Sequence, residues 1–188
     1  NEIFDLNGGV LFAHGFDNIR KGVYKVREFE DAIKKKFNVT YAQAVSSCTA
    51  ALRVALAAIN IQKDDEVIIP SFTFVATAEA IIEAGAKVVV ADIDESLNLC
   101  PSDFENAITK KTKAVIAVHM MSSPANMDRI CEIATKYDLK VIEDAAQAFG
   151  AKYKGKKVGS FSDVASFSFN VMKNVGGFGE AGAVTTNN

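Results

Sequence analysis

The sequence predicts an α/β fold, a three-layer sandwich whose mostly parallel sheet is covered by helices on both faces. Three observations carry this expectation. From about residue 28 the apolar pattern alternates between short runs and stretches of helical spacing. The short runs are rich in Val and Ile, as in strands buried inside a sheet. No repeat, low-complexity tract or long polar linker interrupts the alternation, so a single domain is expected.

In order, Glu28 to Phe37 has helical spacing and Tyr41 to Val45 is strand-like. Thr49 to Ala58 is rich in Ala and Leu, strong helix formers. Glu66 to Pro70 is a short strand ending at a proline, which has no N–H for the ladder. Thr73 to Ala84 reads as a helix with Gly85 as its C-terminal cap. Lys87 to Ala91 is a Val-rich strand, and Pro101 opens a short helix over Ser102 to Thr109. Ala114 to Val118 is a strand and Met127 to Tyr137 an amphipathic helix. Val141 to Glu143, Ala165 to Phe169 and Ala183 to Thr186 complete the strands. Residues 1–27 are Gly-rich and weakly patterned and are expected to form an extended arm; residues 28–188 form the domain.

Bulk composition narrows the function classes. Of 188 residues, 49% are hydrophobic and 23% charged, ordinary for a globular domain. Lys and Arg total 21 against 23 Asp and Glu, so bulk charge attracts neither nucleic acid nor an anionic membrane. The one basic cluster, Lys152 to Lys157, contains Gly155 and reads as a solvated turn. No apolar run reaches the roughly 18 residues of a membrane span, and no signal peptide is visible. Cys48, Cys100 and Cys131 fit no metal motif, and with His14 and His119 as the only histidines no metal centre is expected. Free thiols point to a reducing, cytoplasmic setting.

Two segments carry chemistry. Val141-Ile142-Glu143-Asp144-Ala145-Ala146-Gln147 begins as a buried strand, with Asp144 where that strand ends. Ala165 to Lys173 is a second strand-like run ending in a lone lysine. Ligands of open α/β sheets bind beyond the carboxyl ends of the strands, so this carboxylate and this amine can face one crevice. The pair suits pyridoxal phosphate, which offers an aldehyde to the amine and a ring nitrogen to the carboxylate. Phe167, Phe169, Val171 and Met172 predict a desolvated Lys173 amine with a lowered pKa, hence a better nucleophile. Alone, a lysine after a strand is more often a surface residue and an aspartate more often a turn cap. The two together point to the cofactor.

The neighbouring residues leave alternatives open. Gln147 can hydrogen-bond a ring hydroxyl or simply be exposed. Ser46-Ser47-Cys48-Thr49 lies between a strand and a helix, where first-turn amides and hydroxyls hold phosphate; a plain N-cap serine is the competing reading. Ser168 is a second phosphate donor, and alternation puts Ser166, Ser168 and Asn170 on one face with Phe167 and Phe169 on the other. Phe74 can stack on a flat ring or belong to the core. Gly177-Phe178-Gly179-Glu180-Ala181-Gly182 fits the dinucleotide pattern, but β-prone Ala183-Val184-Thr185-Thr186 follows where a helix is required, so a nicotinamide-dependent oxidoreductase is rejected.

Together these segments resemble the DegT/DnrJ/EryC1/StrS sugar aminotransferases, which have the type I pyridoxal-phosphate fold. The resemblance runs from about Tyr24 to the last residue. It rests on Ser46-Ser47-Cys48-Thr49-Ala50-Ala51-Leu52, Asp65 to Phe74, Glu143-Asp144-Ala145-Ala146-Gln147, and Ser166-Phe167-Ser168-Phe169 with Lys173. It implies that Lys173 forms the Schiff base with pyridoxal 5'-phosphate and shuttles protons. It further implies that Asp144 partners the pyridine nitrogen, Gln147 the ring hydroxyl, and Thr49 and Ser168, beside Ser47 and Cys48, the phosphate, with Phe74 stacked on the ring. The implied enzyme is a homodimer that transfers an amino group from glutamate to a keto-sugar, most often nucleotide-linked, for cell-surface polysaccharide such as lipopolysaccharide.

Lys173 argues against the branch that has histidine there and dehydrates sugars. Val118-His119-Met120-Met121 and His14-Gly15-Phe16 are most similar to the 8-amino-3,8-dideoxy-octulosonate transaminase subgroup. Cys48 and Ser122 stand where glycine is usual, and Ala181 interrupts a Gly-Glu-Gly-Gly run. A cysteine side chain is expected to crowd a backbone that approaches its ligand closely. Members of the family also continue into a C-terminal small domain, whereas this sequence stops 15 residues after Lys173. The expectation is an incomplete large domain, or else a truncated, non-catalytic relative acting as a binding module.

Overall fold

The structure is a computed structural model that describes Gly22 and residues 24–188. The expected arm, up to residue 21, and His14-Gly15-Phe16 therefore lie outside the described residues. The chain runs α1 (Lys25–Phe37), β1 (Tyr41–Val45), α2 (Cys48–Ala58), β2 (Glu66–Pro70), α3 (Val75–Glu83), β3 (Lys87–Ala91) and α4 (Pro101–Asn106). It continues through β4 (Thr112–Val118), a 3₁₀ turn (Met120–Ser122), α5 (Met127–Lys136), β5 (Lys140–Asp144), β6 (Lys152–Tyr153), β7 (Lys156–Lys157), β8 (Val164–Ser168) and β9 (Gly182–Thr186).

Among the described residues seven strands form one sheet in the order β1-β9-β8-β5-β4-β2-β3, and β6 and β7 pair as a separate hairpin. The ladders joining β8, β5, β4, β2 and β3 are all parallel. β9 is antiparallel to both of its neighbours, so it is laid in reverse between β1 and β8. This is the mixed but mostly parallel α/β sheet that the alternating pattern predicts.

Local chemistry explains where the elements begin and stop. α1 starts at Lys25, earlier than expected, with an ion pair from Lys25 to Glu28 at 2.9 Å along its first turn. It closes on Asn38 in the left-handed region at φ 55°. α2 is capped by Ser47, whose Oγ accepts the Ala50 N–H at 3.1 Å. α3 starts two residues late because Phe74 is extended (φ −74°, ψ 143°). The basic cluster is the β6–β7 hairpin: Lys154 (φ 48°) and Gly155 (φ 84°) make its turn, and Lys154 pairs with Asp128.

Helices pack both faces of the sheet. On one face Leu52 and Leu56 of α2 and Ile81 of α3 cover Ile69, Ile116, Ile142, Val164 and Val184. On the other, Phe104 of α4 and Ile130 and Ile133 of α5 cover Ile68, Val115 and Val141. Beside them Ile33 and Phe37 of α1 meet Ala165, Phe167 and Ala183, and the Phe37 and Phe167 rings lie 4.5 Å apart. Each such buried side chain contributes roughly 1.5–3 kcal/mol of transfer free energy. Alternation along β5 and β8 sends Asp144 and Ser166 to the α2/α3 face and Glu143 and Phe167 to the α1/α5 face. At Gly182 space requires a glycine: a Cβ there would stand 2.4 Å from the carbonyl carbon and oxygen of Ser47. β9 thus presses its first residue against the start of α2.

Candidate functional site

The carboxyl ends of β2, β4, β5 and β8 meet at one edge of the sheet, where a cavity of about 560 Å³ opens. Ser47, Cys48 and Thr49 reach it from the start of α2, and Phe74 from the residue before α3. Asp144 and Gln147 come from the end of β5, and Ser168 and Lys173 from β8 and the turn after it. Every residue singled out in the sequence for cofactor chemistry therefore lines one wall or another of a single crevice.

Asp144 is its buried floor, only 5% exposed. Oδ1 accepts the Ala146 N–H at 3.1 Å and the Cys48 thiol at 3.8 Å, and Oδ2 accepts the Thr77 hydroxyl at 3.2 Å. Burial raises the carboxyl pKa above its ordinary value; the Ala146 amide, the Thr77 hydroxyl and the Lys173 charge pull the other way without cancelling it. The same burial, aided by Asp144, holds the Cys48 thiol well above its ordinary range, so Cys48 stays protonated and donates.

Gln147 is oriented by backbone. Its Oε1 accepts the Met121 N–H at 3.0 Å, which leaves the amide NH₂ to face another acceptor. At the start of α2 the Ser47 oxygen serves as the cap, so the plain N-cap reading holds, yet its hydrogen remains available to donate. The first-turn amides of α2 and the Thr49 hydroxyl open on the same wall. Phe74 is 67% exposed at the cavity, which overturns the alternative of a core aromatic.

Lys173 differs from expectation in its surroundings. β8 ends at Ser168, and Lys173 sits in a turn, its N–H bonded to the Asn170 carbonyl at 2.9 Å. Phe167 and Phe169 point to the far face, into an aromatic cluster with Phe37 and Phe149. Val171 and Met172 are 67% and 89% exposed. The apolar jacket expected around the amine is therefore absent, because strand alternation and the turn aim those four side chains elsewhere. What the half-buried lysine faces is polar, since its charge acts on both Asp144 and Cys48.

Several residues of the site escaped the sequence reading. Thr77 lies one turn into α3 and bonds Asp144 while touching Thr73 at 2.8 Å. Glu143, fully buried behind Asp144, accepts five hydrogen bonds: from Gly159 N, Phe161 N, Ser162 N, Ser162 Oγ and the His119 ring. His119 accepts the Ala125 N–H at Nδ1, so Nε2 carries the hydrogen given to Glu143 at 3.1 Å. Burial alone would raise the Glu143 pKa; the His119 bond and the two amides of Gly159 and Phe161 outweigh it and hold it below its ordinary value. An acidic residue inside an apolar strand is a signal for such a network, since a buried charge must be fully bonded. Nothing in the sequence names its donors.

The donor set suits a flat anionic heterocycle. A buried carboxylate offers a partner to a ring nitrogen, an amine faces it, a helix N-terminus with hydroxyls receives a phosphate, and an open phenyl ring can cover a ring face.

Comparison with known proteins agrees. The model of the DegT/DnrJ/EryC1/StrS aminotransferase family matches residues 15–188. The UDP-2-acetamido-2-deoxy-3-oxo-D-glucuronate aminotransferase of Pseudomonas aeruginosa is 44% identical over 174 residues, which cover 90% of this chain and 48% of that protein. The aminotransferase structure from Psychrobacter cryohalolentis superposes with a TM-score of 0.85 at 41% identity, over 87% of this chain and 42% of that one. The structure of NtdA from Bacillus subtilis, with its cofactor PMP bound, gives a TM-score of 0.84 at 35% identity over 89% of this chain and 38% of that one. The chain thus spans about half the length of the curated relatives it matches.

Proposed function

Because this chain belongs to the DegT/DnrJ/EryC1/StrS aminotransferase family, we propose that it is the cofactor-holding part of a pyridoxal-phosphate enzyme that moves an amino group from glutamate to a keto-sugar. A nucleotide-linked sugar is the acceptor we favour, on the strength of the UDP-linked 3-oxo sugar named for the Pseudomonas aeruginosa relative. We take residues 28–188 as part of a large domain preceded by an arm, working as a homodimer in the cytoplasm on cell-surface polysaccharide. The observation that carries the reading is that Lys173 and Asp144 face one crevice with the α2 N-terminus in its wall.

Pyridoxal phosphate, when bound, supplies an aldehyde that accepts and returns an amino group and a ring that withdraws electrons from the substrate carbon. Lys173 is the amine that holds the aldehyde and then carries protons at Nζ. Asp144 keeps a proton on the ring nitrogen, and its buried setting makes that ion pair strong. Thr77, Cys48 and the Ala146 amide fix the carboxylate in place. Gln147 offers its NH₂ to the ring hydroxyl. Ser47, Thr49 and Ser168 donate to the phosphate with the α2 amides, beside Cys48. Phe74 covers one face of the ring.

The test is direct. Protein mixed with pyridoxal phosphate should turn yellow, and borohydride followed by peptide mapping should find the label on Lys173, absent in Lys173→Ala. A colourless protein, or label scattered over surface lysines, would refute the reading and favour a non-catalytic binding module.

A further inference from the structure

Beside the cavity, next to its lining residues Gln147 and Lys173, a hydrogen-bond chain runs through a residue to which no role has been given. Asn174 Nδ2 donates to Ser122 Oγ at 3.1 Å, and the Ser122 hydroxyl donates to the Gln147 carbonyl at 2.6 Å. One hydroxyl has one hydrogen to give and lone pairs to receive, so the two bonds do not compete. They join three separate segments: the 3₁₀ turn, the loop after β5, and the turn after β8 that carries Lys173.

The backbone at this junction adopts an unfavoured shape. Met121 (φ 50°) and Ser122 (φ 65°) are consecutive non-glycine residues in the left-handed region. Such a pair persists only where its surroundings hold it. Here Met120 N donates to Asn98 Oδ1 at 2.9 Å and Met121 N to Gln147 Oε1 at 3.0 Å, clamping the turn from both sides. A glycine at 122 would take the same φ freely but would lose the hydroxyl.

The Lys173 turn, by contrast, is held mostly by its own residues. Met172 N bonds Asn170 Oδ1 at 2.8 Å, Lys173 N bonds Asn170 O at 2.9 Å, and the Asn170 amide pairs with Glu180 further along the same loop. Val171 and Met172 stand open, so no apolar burial anchors it. The bond from Asn174 to Ser122 reaches instead to the 3₁₀ turn that Asn98 and Gln147 clamp.

We propose that Ser122 is a positioning residue: its hydroxyl latches the Lys173 turn to the Gln147 loop and so sets where the amine stands in the crevice. The proposal rests on reading Lys173 as the amine that meets the cofactor aldehyde. Both side chains are exposed, so their replacement is compatible with folding.

The test uses Ser122→Ala, Ser122→Gly, Asn174→Ala and the double variant Ser122→Ala/Asn174→Ala. Residue-resolved amide exchange at Met172 and Lys173, without added cofactor, should speed up by about 3- to 10-fold in each single variant. Labelling of Lys173 by pyridoxal phosphate and borohydride should slow by a similar factor. The double variant should be no worse than either single, because the two side chains act as one unit. Ser122→Gly should match Ser122→Ala, which separates the hydroxyl from the backbone. Unchanged exchange in the single variants, additive losses in the double, or faster exchange with unchanged labelling would each overturn the positioning role. If the parent is not labelled at Lys173 while exchange responds as expected, the latch stands and the cofactor reading falls.

Discussion

Glu143 and Asp144 are adjacent in the chain, buried on opposite faces of β5, and shifted in opposite directions as acids. Glu143 has five donors, gathered from His119 and the loop 159–162, and is held as an anion. Asp144 has fewer partners, and burial wins. One strand therefore carries a finished structural charge and an unfinished one. The unfinished one faces the cavity, where a positively charged ring nitrogen would complete it.

Asp144 should cost stability when no cofactor is present. Its folded pKa is raised, so the folded protein keeps a proton that the unfolded chain releases, and stability falls as pH rises above the ordinary value of 3.8. We expect Asp144→Asn without cofactor to melt at least about 2 °C higher than the parent at pH 7. The gain should vanish near pH 3, and amine exchange should drop about 100-fold or more. Melting scans at the two pH values check this; a variant less stable than the parent at pH 7 would contradict it.

Glu143→Gln should do the reverse. The depressed pKa of Glu143 stabilises the fold above the ordinary value of 4.5, and that contribution is lost as pH falls through the folded pKa. Replacing the anion leaves amides aimed at an NH₂ group, at a cost of about 3 kcal/mol at pH 7. Urea midpoints should show the gap between parent and variant narrowing below pH 4.5. Equal midpoints at pH 7 would remove Glu143 from its role.

Phe74 separates binding from folding. Its ring is 67% exposed, so Phe74→Ala should change stability by less than about 0.5 kcal/mol. Affinity for pyridoxal phosphate should fall by about 2- to 10-fold, the worth of one aromatic face. An absorbance titration reads the effect, and an unaltered affinity would mean that the ring covers nothing.

Much of this was legible from periodicity. Tyr41–Val45, Glu66–Pro70 and Lys87–Ala91 occupy the spans that their apolar runs mark, because strand length is set by which residues are buried. The facing of Ser168 and Phe167 followed from alternation alone. What could not be read was pairwise. The reversal of β9, the five donors of Glu143 and the bond from Thr77 to Asp144 depend on segments distant in sequence. The apolar jacket expected around Lys173 failed for a local reason: the strand stops at Ser168, and the alternation rule stops with it. The two-residue shift at α3 came from Phe74, whose extended backbone a propensity scale does not foresee.

The place of β9 in the sheet sets a schedule for synthesis. A ribosome releases β1 early and its one ladder neighbour among the described residues, Gly182–Thr186, near the end of the segment described here. Until those residues emerge, β1 has no mate and β8 shows a raw backbone flank, an invitation to other nascent chains. Shorter expression pieces that stop before Gly182 should accumulate as aggregate, and this part of the sheet should lock only once β9 has been threaded into the gap waiting for it.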